Sequence, residues 1–85
     1  MPSYICEYDL NTVYCRNEGV RPSSVYQSLA SRLRARGWAR SQFSVWKKMQ
    51  TTREEVKNNL ITIAEEIEER FFNGDQGIFT AFKYQ

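Results

Sequence analysis

Tyr4, Cys6, Tyr8 and Leu10 alternate with Ile5, Glu7 and Asp9, a period of two that predicts an opening strand over 4–10. The period then lengthens. Val25, Leu29 and Leu33 recur at i, i+4 and i+8 with Tyr26 and Ala30 beside them, the apolar stripe of a helix expected to start near Ser23. Pro22 has its dihedral preset for the first turn, and Gly37 stands where a left-handed C-terminal residue is wanted. Val56, Leu60, Ile63, Ala64, Ile67 and Phe71 mark a second, longer helix. Thr52-Arg53-Glu54-Glu55 opens it as a capping box, in which the Thr52 hydroxyl and the Glu55 carboxylate each accept from a backbone amide. Asn73-Gly74 closes it.

Two stretches read less simply. The connection over 11–24 holds Asn17, Gly19 and Pro22 and is long for a link in a small domain. It is expected to be a partner-facing loop, or an extension of the first strand through Thr12-Val13-Tyr14-Cys15. The run over 38–49 is extended, with Phe43 and Val45 alternating with Gln42, Ser44 and Trp46. It reads as a bent strand, or a hairpin broken between Trp46 and Gln50, with Phe43 and Val45 under the helices. A last strand over 78–84 places Ile78, Thr80, Phe82 and Tyr84 on one face. The elements therefore follow the order β-α-β-β-α-β. Two helices on one face of an antiparallel sheet, an α+β domain of ferredoxin-like order, is the economical arrangement.

The chain has 85 residues, enough for a single domain whose small core would gain from pairing with a second copy, so a homodimer is expected. The last strand, with Phe82 and Tyr84, is the segment expected to cross to the partner sheet. No apolar run is long enough to span a bilayer, and Met1-Pro2-Ser3 opens without the basic residues of a secretory signal. A cytoplasmic protein with no membrane partner is expected, its two cysteines, Cys6 and Cys15, reduced and free. The chain holds no histidine, which excludes a Cys/His metal site and removes the commonest general acid–base. Any catalysis must use carboxylates, hydroxyls, amides or cations.

Net charge is only +2, but the charges are sorted. Arg32, Arg34, Arg36, Arg40, Lys47, Lys48 and Arg53 follow one another without an intervening acid, while Glu65, Glu66, Glu68 and Glu69 crowd the second helix. Arg34, Arg36, Arg40, Lys47 and Lys48, interleaved with Trp38, Phe43 and Trp46, suit RNA: cations for phosphates and rings for bases. The plainer reading is a solvated face that complements a helix C-terminus. A third is an adaptor whose basic and acidic faces recognise a partner protein.

Asp9 lies at the end of the first strand, where a loop leaves the sheet. Brought together by a two-fold axis, two such carboxylates can hold Mg²⁺, which then activates water against a phosphodiester. Without metal the pair repels, so one carboxyl keeps its proton and serves as the acid–base that histidine does not supply. The alternative is that Asp9 caps a turn at Asn11-Thr12. Gln42 and Ser44 are expected on the open face near Asp9, where an amide and a hydroxyl can meet phosphate or ribose; ordinary exposed strand polarity is the alternative.

Tyr8-Asp9-Leu10, Val25-Tyr26-Gln27-Ser28-Leu29, Arg36-Gly37-Trp38 and Ser41-Gln42-Phe43-Ser44-Val45-Trp46 together resemble the virulence-associated protein D family. They are also similar to the small CRISPR-associated endonucleases that partner the spacer integrase; the long connection after Asp9 favours the former. The resemblance implies a ferredoxin-like fold, a homodimer and a toxin-type endoribonuclease, hence an antitoxin or other protein partner. It implies catalytic roles for Asp9, the strand acid, and Ser44, the serine of the second-strand motif. A non-cutting nucleic-acid-binding or assembly module on the same fold is the alternative.

Overall fold

The computed structural model describes residues 3–42, 44–75 and 77–85, the side chains of Thr80 and Ala81 excepted. Its elements are β1 (Tyr4–Leu10), α1 (Thr12–Asn17), α2 (Pro22–Ala35), β2 (Ala39–Gln42), β3 (Val45–Lys48), α3 (Arg53–Phe72) and β4 (Phe79–Tyr84). The class is α+β. The strands form one sheet in the order β2-β3-β1-β4, and each neighbouring pair is antiparallel. Among the described residues no helix is long and apolar enough to cross a membrane.

The alternation in β1 sorts the two faces of the sheet. Cys6, Tyr8 and Leu10 are buried, while Glu7 and Asp9 are exposed. Against the buried face lie Val25, Leu29, Ala30 and Leu33 of α2 and Val56, Leu60, Ile63 and Ile67 of α3, in one core with Trp38, Trp46 and Ile78. At roughly 25 cal/mol per Å² of apolar area, each fully buried aliphatic side chain here stabilises the fold by about 1.5–3 kcal/mol. Cys6 and Cys15 are buried free thiols, and burial pushes Cys6 up to about 12.

The long helices end as their sequences direct. Pro22 is the first residue of α2, and Gly37 takes φ +87° just past its end. Thr52 Oγ1 accepts from Glu55 N at 3.2 Å, and Asn73 closes α3 in the left-handed region at φ 52°. The capping box is only half formed. Glu55 gives its carboxylate not to the Thr52 amide but to Lys48 Nζ at 2.9 Å and the buried Thr51 hydroxyl at 3.1 Å. A charged donor outbids a backbone amide for that carboxylate.

Three expectations are corrected. The segment after β1 is neither an open loop nor a strand extension, because Asn11 Oδ1 accepts from Tyr14 N at 3.0 Å and starts the short helix α1. The helix buries Cys15 and sets the Tyr14 ring against Phe72, with centroids 5.2 Å apart. The run over 38–49 is a hairpin whose break falls between Gln42 and Val45, not after Trp46; β3 needs Trp46 and Lys48 in register with Cys6 and Tyr4. Finally, Trp46 is wholly buried and Val45 only half-buried, so the face of this strand is the reverse of the one expected. The larger ring takes the core. Phe43, expected beside Val45, lies outside the described residues.

Candidate functional site

The corner of the sheet where β1 ends carries most of the chemistry. The Tyr8 amide donates to the Ser44 carbonyl at 3.3 Å, so the turn between β2 and β3 lies beside the end of β1. Asp9 is the next residue, exposed, with its backbone paired to Ala81. Pairing slips in two places at this end of the sheet, between Asp9 and Leu10 in β1–β4 and between Arg40 and Gln42 in β2–β3. Such irregularities re-aim side chains and are common beside active sites. Ser44 is half-buried in the turn and Gln42 is exposed at the end of β2.

Behind this corner is a stack built on Trp46. The Trp46 indole N–H donates to the Tyr8 hydroxyl at 3.3 Å, both groups being buried. Arg40 lies over the Trp46 ring with Cζ 4.9 Å from its centroid, and Arg34 of α2 lies at 5.3 Å. Each such cation–π contact is worth about 0.5–2 kcal/mol, more as the ring is desolvated. Burial pushes the Tyr8 phenol up, while the hydrogen bond from Trp46, the charge of Arg40 and a hydrogen bond from Arg40 pull it down. Tyr26 is raised by burial first and then by the charges of Tyr8 and Asp9, so the Asp9 carboxylate is within electrostatic reach of α2.

The five cations expected to contact RNA divide into three groups. Arg34 and Arg40 converge on Trp46. Arg36 and Lys48 turn towards α3: Arg36 meets Glu66 at 3.0 Å, beside Arg32 at 3.5 Å, and Lys48 meets Glu55 at 2.9 Å and Asn59 at 3.2 Å. Lys47 is exposed on the other face, opposite Ile5 and Ala39. Trp38 and Trp46, expected to offer stacking surfaces, are core residues at 3% and 0% exposure and do not face a base. The sequence does not reveal the Tyr8–Trp46–Arg40 grouping. Only the 38-residue separation of its hydrogen bond, closed by the β1–β3 pairing, creates it.

Among the described residues no three His, Cys, Asp or Glu side chains converge on one centre, so a single chain presents no ready-made metal cage around Asp9. No protein-family model matches this chain, and neither does a curated protein or a solved structure.

Proposed function

We propose that this protein is a small cytoplasmic endoribonuclease of the virulence-associated protein D type, built on a ferredoxin-like frame and acting as a homodimer with an antitoxin or other protein partner. The sheet order supports the frame: the first and third strands are central, the second and fourth are edges, and both long helices bury into one face. α1 is then an addition between the first strand and the first long helix. The edge strand β4 carries half-buried Phe82 and Tyr84 and is the candidate seam between two copies.

One observation carries the reading. Exposed Asp9 stands at the irregular end of β1, one residue beyond the Tyr8–Ser44 backbone bond. In the proposed reaction Asp9 from each subunit faces its mate across the two-fold axis. One carboxylate accepts the proton of a ribose hydroxyl or a water as that oxygen attacks phosphorus. The mate's carboxyl donates a proton to the departing ribose oxygen. Ser44 and Arg40 hold the scissile phosphate and offset the charge that grows on it. Mg²⁺ held by Asp9 together with water and RNA oxygens would supply an activated water.

The test compares cleavage of labelled RNA by the protein and by Asp9→Asn, purified side by side, with and without chelator. Cleavage lost in the variant alone, with RNA binding kept, supports the reading. RNA binding without cleavage by either protein would favour a non-cutting binding module. The chelator arm decides whether metal takes part.

A further inference from the structure

Beside the buried stripe of α2 runs a second stripe, Ser23, Tyr26, Gln27, Ala30 and Arg34, at helical spacing i, i+3, i+4, i+7 and i+11. It faces Arg40 on the edge strand β2, and the two together line an open cleft of about 320 Å³. That is the low end of the ~300–1,000 Å³ range of small-molecule sites.

The character of the cavity changes from one end to the other. Arg34 and Arg40 form its cationic end, and both guanidinium groups are held against the Trp46 ring, at 5.3 and 4.9 Å. That stacking fixes two planar forks before any ligand arrives, which lowers the entropy lost in holding an anion between them. Tyr26 and Ala30 give the cavity an apolar wall, and the Tyr26 ring lies 6.1 Å from that of Tyr8. Ser23 and Gln27 bring a hydroxyl and an amide, groups that both donate and accept. A bare phosphate would use only the cationic end. A ring with polar edges joined to a phosphate would use all of it.

We propose that the cleft between α2 and β2 binds one nucleoside monophosphate unit, with its phosphate between Arg34 and Arg40 and its base against Tyr26, read by Gln27 and Ser23. The unit is either free nucleotide or one unpaired residue of an RNA strand. The proposal rests on the RNA reading for its class of ligand but not on cleavage. Base stacking on an aromatic ring is what separates a nucleotide from inorganic phosphate at such a site.

The experiment is a titration of isotope-labelled Asp9→Asn protein followed by amide and indole resonances, so that binding is read whether or not the wild-type chain cuts RNA. The probes are uridine and adenosine 5′-monophosphate, uridine, inorganic phosphate and a pentauridylate. Either nucleotide should shift the Trp46 indole signal and the amides of Tyr26 and Gln27. Inorganic phosphate and uridine should each bind at least tenfold more weakly. Arg34→Gln and Arg40→Gln should each weaken the nucleotide at least tenfold. Gln27→Ala, at an exposed position, should weaken it severalfold even if the arginine variants fail to fold. Tighter binding of the pentauridylate makes RNA the source, and tighter binding of the mononucleotide makes it free nucleotide; both uphold the pocket. Shifts confined to other surfaces, no saturable binding, phosphate binding as tightly as nucleotide, or folded arginine variants with unchanged affinity would each overturn it.

Discussion

Replacing Tyr8 by Phe removes one oxygen atom and tests the stack at the centre of the site. The Tyr8 hydroxyl accepts the Trp46 indole N–H at 3.3 Å where the residues are 2% and 0% exposed, so water has no access to take its place. A buried donor left without an acceptor costs about 1–3 kcal/mol. The ring itself stays, so no cavity is added, and the expected loss for Tyr8→Phe is about 1–3 kcal/mol. In a domain of this length each kcal/mol lowers the melting temperature by about 4–8 °C. Trp46→Phe should cost more, because the smaller ring leaves a void in the core and offers less surface to Arg34 and Arg40. The double variant isolates the pair. With the indole donor already absent, losing the hydroxyl costs only its bond with Arg40, so the loss in the double variant should fall short of the sum of the single losses by about 0.5–3 kcal/mol. Urea unfolding followed by far-ultraviolet dichroism reads all three variants. A Tyr8→Phe protein as stable as wild type within about 0.3 kcal/mol, or strict additivity in the double variant, would refute the reasoning.

Gly37→Ala should destabilise by about 1–2 kcal/mol, since φ +87° is a left-handed conformation costly to any residue with a Cβ. The new methyl would meet nothing closer than Lys48 Cε at 3.7 Å, so a loss near zero in urea midpoints would contradict a backbone origin. Glu55 is lowered from its ordinary 4.5, first by the hydrogen bond from Lys48 and then by that from Thr51. A lowered carboxyl contributes stability that is present above pH 4.5 and lost as pH falls through the folded value. Glu55→Gln should therefore flatten the decline in stability on acidification, and urea midpoints at neutral and acid pH that fall equally in both proteins would contradict this.

What the sequence showed and what it hid divide along sequence separation. β1, the start of α2 at Pro22 and both ends of α3 were legible because periodicity, proline and capping residues act within one or two turns. α1 was hidden because Thr12 and Val13 are β-branched, and only the Asn11 cap and the burial of Cys15 override that preference. The face of β3 was misread for a related reason. Val45 and Trp46 are both apolar, and pairing with Cys6 on a strand 40 residues earlier decides which one is buried. The candidate site was partly legible: Asp9 is exposed at a strand end as the pattern required. How the cations would group was not, because Glu55 and Glu66 on α3 draw off Lys48 and Arg36, a choice that depends on how the helices pack.

If Asp9 is a catalytic group for RNA cleavage as proposed, the rate of cleavage by Asp9→Asn reports it. The substitution keeps the size of the side chain at an exposed position and removes its negative charge and its capacity to hold and release a proton. General acid–base groups contribute about 10²–10⁴-fold in rate. Initial cleavage of a labelled RNA should then fall by at least about 10²-fold in Asp9→Asn, while dichroism, sedimentation and RNA binding stay as in wild type. Equal cleavage by the two proteins, purified together and bound equally to the same RNA, would contradict it.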